Sequence, residues 1–160
     1  MKALISMIIC ACISLSMYAV NPVKIYKGRS VYSSDVICNV SNNKVYLKNS
    51  VYNSDVVCNI KGNKIYKANS VYNSDVLYTI TDGKVYSGNS VYSSDIIMTI
   101  RDGKIYKGTS VYTSDIIATV KNGSVYAGTS VYSSDIMFSF SGNLTLTEFV
   151  AVWHTVMYSW

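Results

Sequence analysis

One hexapeptide recurs six times along this chain: SVYSSD at 30–35, SVYNSD at 50–55 and 70–75, SVYSSD at 90–95, SVYTSD at 110–115 and SVYSSD at 130–135. Each copy carries hydroxyls, an aromatic ring and a carboxylate, the groups from which binding sites are made. The carboxylates of Asp35, Asp55, Asp75, Asp95, Asp115 and Asp135 would hold a calcium ion if they converged, because Ca2+ takes six to eight oxygens at about 2.3–2.6 Å. They would serve structure if each turned back on its own segment, as Asp and Ser side chains do in Asx and Ser/Thr turns. Ser, Asn or Thr at the variable position suits a turn, and the structural reading is preferred. The phenols of Tyr32, Tyr52, Tyr72, Tyr92, Tyr112 and Tyr132 are the candidate ligand contacts. Such rings stack on apolar faces, including those of sugars, or surround a cation. Each is paired with an inner tyrosine (Tyr26, Tyr46, Tyr66, Tyr86, Tyr106, Tyr126) expected in the core with its hydroxyl bonded.

Cys38 and Cys58 occupy one position of consecutive copies, where the later copies place Tyr78, Met98, Ala118 and Phe138. Two readings stand. They are buried thiols in an apolar slot, or a disulfide between neighbouring hairpins, which an oxidising compartment permits if the Cα atoms lie within about 7 Å. His154 is the single histidine and is expected on a helix surface, because nothing in the sequence supplies the partners of a triad or a zinc site. Phosphate loops, Cys/His metal spacings and nucleophile elbows are not found. No catalytic residue, metal or cofactor is assigned, and an enzyme is not expected.

The amino terminus points outside the cytoplasm. Residues 1–19 read as a secretory signal peptide, with Lys2, an apolar run from Ala3 to Leu15, then small residues and cleavage after Ala19. The apolar run is too short for a membrane span, so no stable span is expected after cleavage; lipidation at Cys12 is the alternative. The expected location is secreted, periplasmic or cell-envelope. The formal net charge is +5, of which Lys2 contributes one, and the other lysines are scattered singly. Without a basic block, nucleic acid is not an expected partner.

These residues are positioned by a twenty-residue repeat. Six copies begin at Lys24, Lys44, Lys64, Lys84, Lys104 and Ser124, and a fixed period marks a repeat architecture. In SDIIATV, Ile116, Ala118 and Val120 read as one face of a strand and Ile117 and Thr119 as the other. At each copy boundary stands a turn pair: Asn42-Asn43, Gly62-Asn63, Asp82-Gly83, Asp102-Gly103, Asn122-Gly123 and Gly142-Asn143. Such pairs tolerate the two left-handed residues of a tight hairpin turn. A second break follows at Gly28, Gly88, Gly108 and Gly128, replaced by Lys48-Asn49 and Ala68-Asn69. Each copy thus supplies a short hairpin and then a link through the hexapeptide. Val31 and its equivalents are expected in the core. One hairpin cannot bury its apolar face alone, so several must pack around an axis, or along an open solenoid as the alternative.

The end of the chain changes period. Thr145 and Glu148 have capping-box spacing. Phe149, Val150, Trp153, Val156, Met157 and Trp160 fall on one helical face. A helix within residues 144–160 is expected to cover the apolar end of the repeats at 20–143. It lacks Lys and Arg, which poorly serves an anionic membrane.

The units DGKIYKGTSVYTSDII and the ending LTLTEFVAVWHTVMY resemble the bacterial β-flower repeat proteins of four- and five-fold type, over residues 24–160. The resemblance implies petals of short hairpins about a pseudo-rotational axis and supplies no activity or site residues. The expected fold is all-β: a pseudo-symmetric ring of hairpins with a C-terminal capping α-helix. The expected function is an exported, non-enzymatic structural or binding module that contacts glycan or an envelope protein. The alternative is a protein–protein interaction module using the helix or the hairpin rim.

Overall fold

The computed structural model describes residues 21–158; the expected signal peptide and Trp160 fall outside them. Short strands run through the whole repeat region. They are β1 (Val23–Lys27), β2 (Val36–Ser41), β3 (Lys44–Leu47), β4 (Val56–Lys61), β5 (Lys64–Lys67) and β6 (Val76–Thr81). There follow β7 (Lys84–Ser87), β8 (Ile96–Arg101), β9 (Lys104–Lys107), β10 (Ile116–Lys121), β11 (Ser124–Ala127) and β12 (Ile136–Phe140). Helix α1 (Leu146–Tyr158) ends the described chain. All strands are antiparallel to their neighbours, and the sheet closes on itself as a barrel, so the open solenoid does not form.

The turn pairs do what their chemistry predicts. Asn42 and Asn43 have φ of 50° and 58°, and Asp102 and Gly103 have 51° and 70°. Two consecutive left-handed residues make the turn whose twist matches the flanking strands, and Ile100 lies opposite Ile105. Gly62-Asn63 meets the expectation only in part, since Gly62 is left-handed at φ 61° and Asn63 is not. Gly142-Asn143 departs from it altogether. It leads into the helix, and the sixth hairpin is made without a turn from the two ends of the sheet. Ile25 pairs with Phe140, Tyr26 with Ser139 and Lys27 with Phe138, the register that Val45, Tyr46 and Leu47 keep with β2. Ser141 N–H donates to the Lys24 carbonyl at 3.0 Å, continuing the seam. A closed ring has no exposed edge.

The second correction concerns the strand faces. Ile116 pairs with Tyr106, whereas Ala118 pairs with Ile105, so Ile117 is an extra residue, a β-bulge. Tyr106 and Ile105 are neighbours on one strand and point to opposite faces. Ile116 and Ala118 therefore face opposite ways despite their two-residue spacing. The same shift recurs at each link, between Tyr46 and Val45 for example.

Two rings of side chains line the barrel. Ile25, Val45, Ile65, Val85, Ile105 and Val125 are fully buried and repeat almost unchanged. Cys38, Cys58, Tyr78, Met98, Ala118 and Phe138 form the second ring and do not repeat. Helix α1 accounts for the difference. It packs against β2–β5, and Phe149, Val150, Ala151, Val152 and Trp153 are buried in succession. A helix buried on all sides over that length has protein around it. A single helix has no six-fold symmetry, so the wall that meets it must vary from copy to copy. Thr145 and Glu148 form the expected capping box, with Thr145 N–H donating to Glu148 Oε2 at 2.8 Å and Glu148 N–H to Thr145 Oγ1 at 3.3 Å. Met157, expected on the covered face, is exposed.

Lys48 and Ala68 replace the glycines of the second break and sit at φ 52° and 51°. The left-handed region is strained for L-residues with a side chain. Ala68→Gly should raise stability by roughly 0.5–1 kcal/mol, the relief of that strain less the added freedom of the unfolded chain. Urea midpoints check this; an unchanged or lower midpoint contradicts it.

Candidate functional site

Each hexapeptide is a locked link between β-strands. In the first, Ser30 Oγ donates to Asp35 Oδ2 at 2.5 Å and accepts from Tyr32 N–H at 3.2 Å. Asp35 N–H donates to the Tyr32 carbonyl at 3.0 Å, closing a short 3-10 turn over Ser33–Asp35. The Ser–Asp bond recurs at Ser50–Asp55, Ser70–Asp75, Ser90–Asp95, Ser110–Asp115 and Ser130–Asp135. The six carboxylates thus turn onto their own links and do not converge. Among the described residues no group of three His, Cys, Asp or Glu is placed to hold a metal ion. Neighbouring links are also tied together: Asn49 Nδ2 donates to the Ser33 carbonyl at 2.9 Å, and Asn69 Nδ2 to that of Asn53 at 2.7 Å.

A second tie holds each link to its sheet, and sequence reasoning missed it. Asn39 Nδ2 donates to the Lys48 and Ser50 carbonyls at 2.9 and 2.8 Å, leaving Asn39 Oδ1 buried without a partner. Thr79, Thr99 and Thr119 donate to the carbonyls of Gly88, Gly108 and Gly128 at 2.8–2.9 Å. The signal was present as a short polar residue, Asn, Thr or Ser, repeating inside an apolar strand.

What the locked link displays is a Val-Tyr pair. The six outer tyrosines, Tyr32, Tyr52, Tyr72, Tyr92, Tyr112 and Tyr132, are 70–74% exposed. The valines before them do not fill the core as expected; they are 48–77% exposed. The Ser–Asp bond and the short turn fold the link outward, so both side chains of the pair stand clear of the barrel. Beside the fifth link runs a shallow groove of about 650 Å3, whose lining includes Lys107, Ser110, Val111, Tyr112 and Asp115. The inner tyrosines behave otherwise: Tyr46, Tyr66, Tyr86 and Tyr106 are buried. Tyr26 and Tyr126 are half-buried. The hydroxyls of the four buried rings are not among the buried unpartnered atoms, so the phenol tips reach the surface in place of the expected core hydrogen bonds.

The remaining candidates lie in the core. Cys38 and Cys58 are free and buried. Strand β3 lies between their strands, since Cys38 pairs with Leu47 and Cys58 with Val45. Two strand spacings, about 9–10 Å, exceed the Cα separation a disulfide spans. Burial pushes the Cys38 thiol up, with Cys58 adding to the effect. Burial pushes Cys58 up to about 12, opposed by a hydrogen bond with Thr155. Both thiols therefore stay protonated and inert.

His154 is not a surface residue. It is half-buried, and its Nδ1 lies 2.8 Å from the Tyr78 hydroxyl, which donates when Nε2 carries the ring proton. Burial raises Tyr78 to about 12, with Tyr158 and Cys58 adding to it, and burial lowers His154 below its ordinary 6.5. The unfolded chain thus takes up the imidazole proton at a higher pH than the folded one. The stability held by neutral His154 is complete above about 6.5 and is lost as pH falls through the lowered folded value. The urea midpoint should therefore drop between pH 7.5 and pH 5, and His154→Gln should flatten that part of the dependence. An equal drop in the variant contradicts the assignment.

A ring of six hairpins, plugged by one helix and presenting one outer tyrosine from each link, defines a β-flower architecture. The chain matches the family described as 6-fold beta flower protein over residues 25–153, and it belongs to that family. The four- and five-fold expectation is thereby corrected to six, the sixth petal being the seam between β12 and β1. Neither a curated protein nor a solved structure matches the chain. No helix among the described residues is long and apolar enough to cross a membrane.

Proposed function

We propose that the protein is an exported, non-enzymatic module that holds a polymeric glycan through its six outer tyrosines. The observation that carries this reading is their uniform exposure, 70–74%, on links locked by the same Ser–Asp bond. A phenol offers a flat apolar face and a polar tip, and the adjacent valine widens the apolar contact. Locking the backbone beforehand removes much of the ordering cost of binding. Six equal contacts suit a ligand with a repeating unit, because linked weak contacts multiply. Export is supported by the Lys2-led apolar segment at 1–19.

Retention on a panel of immobilised polysaccharides tests the proposal. At least one should retain the wild type. One Tyr→Ala change should weaken retention slightly, and Tyr→Ala at three links should weaken it about tenfold or more. Retention by no polysaccharide, or full retention of a folded variant lacking all six outer rings, contradicts it.

A further inference from the structure

Three positions around the seam where β12 meets β1 depart from the other five copies. Position 124 is Ser where the other copies carry Lys24, Lys44, Lys64, Lys84 and Lys104. Position 139 is Ser where they carry Asn39, Asn59, Thr79, Thr99 and Thr119. Position 29 is Arg where they carry Asn49, Asn69, Asn89, Thr109 and Thr129. Ser124 and Ser139 are direct cross-strand partners, so two shortened side chains lie opposite one another. A groove of about 390 Å3 opens there, with Tyr26, Arg29, Val31, Ser124, Ser139 and Ser141 in its lining. That volume suits a small-molecule site.

Ser141 Oγ accepts from the Lys24 N–H at 3.2 Å and Ser30 Oγ donates to Asp35, which leaves Arg29, Ser124 and Ser139 as the free polar side chains of this groove. In the other copies the residue at position 139 is spent on tying the link to the sheet, as Asn39, Asn59, Thr79, Thr99 and Thr119 do. Among the described residues no such bond joins Ser139 to the carbonyl of Gly28. Arg29 makes no ion pair among the described residues, where the pair seen is Arg101–Asp102. Neither flanking link carboxylate lines the groove: Asp35 accepts from Ser30 and Asp135 from Ser130.

We infer that this seam groove binds one anionic sugar residue, a uronate. Arg29 takes the carboxylate through the paired N–H groups of its planar fork. Ser124 and Ser139 bond the sugar hydroxyls, and Tyr26 and Val31 lie against its C–H face. The site uses none of the six outer rings; Val31 is the one residue it shares with the polymer-binding reading, and Arg29→Asn and Ser139→Asn leave Val31 in place, so the two readings fail separately.

Titration of 15N-labelled protein with sodium glucuronate and, separately, with glucose tests the site. Glucuronate should shift the amide signals of residues around 124 and 139, and glucose should bind about tenfold more weakly or less. Arg29→Asn installs the residue that Asn49 occupies in the next copy, and it should bind glucuronate no better than glucose. Ser139→Asn installs the tie made by Asn39, fills the floor of the groove and should weaken glucuronate about tenfold. Both variants carry residues the ring already accepts, and unchanged spectra elsewhere confirm their fold. No shift with glucuronate up to about 50 mM, or unweakened binding in either folded variant, overturns the inference.

Discussion

Trp153→Ala should lower the unfolding free energy by about 3–5 kcal/mol, the range for truncating a buried aromatic side chain. Trp153 is almost fully buried. Its ring lies 6.3 Å from that of Phe138 in the seam strand and 6.4 Å from that of Phe149 one turn earlier. The hole left by alanine would open between the helix and the strand that closes the ring, where neither can collapse without breaking the seam. Met157→Ala, on the exposed end of the same helix, should change stability by less than about 0.5 kcal/mol. Urea unfolding of the two variants checks the pair. Equal losses would mean that the helix does not plug the barrel.

Gly83→Ala should cost more than about 2 kcal/mol, and Gly62→Ala only about 1 kcal/mol. Both glycines are left-handed, at φ 74° and 61°, so both substitutions incur backbone strain. They differ in what a Cβ meets. At Gly83 it would lie 2.5 Å from the Ile100 carbonyl oxygen, and at Gly62 nothing stands within 4 Å. Ile100 N–H also donates to the Gly83 carbonyl at 2.7 Å, so backbone retreat would break a hydrogen bond between petals. The first turn shows a side chain that fits. Asn43 occupies the equivalent position, is left-handed at φ 58°, and its carbonyl accepts from Ile60 N–H at 2.8 Å, as that of Gly83 does from Ile100. Gly83→Asn should therefore cost less than Gly83→Ala, an order that residue size alone would reverse. Urea midpoints of the three variants decide it.

Much of this fold was legible because the repeat states each local instruction six times. Asp102-Gly103 fixes a turn by its backbone tolerance, and Thr145 with Glu148 fixes a helix start. Ser110 and Asp115 stand close enough in sequence to bond within one link. The errors arise where a side chain's direction depends on more than its own local pattern. The bulge at Ile117 leaves the alternating pattern of the strand unchanged, yet it reverses the face of Ile116 relative to Ala118. Val111 reads as a core residue by type, and only the fold of its link turns it out. The seam needs Ile25 and Phe140 to meet across the whole repeat array, and no local signal marks that pairing. The candidate site was partly legible. The outer tyrosines were named from their type and spacing, whereas the Tyr78–His154 contact joins positions far apart in sequence. The variable wall of Cys38, Tyr78 and Phe138 was visible as variation, without the helix that explains it.

The central claim is that the hexapeptide links are rigid mounts whose outer tyrosines meet the ligand. Protein carrying 13C-labelled tyrosine rings, titrated with oligosaccharide fragments of a polysaccharide that retains it, tests this most directly. The ring signals of Tyr32, Tyr52, Tyr72, Tyr92, Tyr112 and Tyr132 should shift together while those of Tyr46, Tyr66, Tyr86 and Tyr106 stay fixed. Shifts confined to the inner tyrosines, or to the helix with the outer rings unmoved, would contradict it.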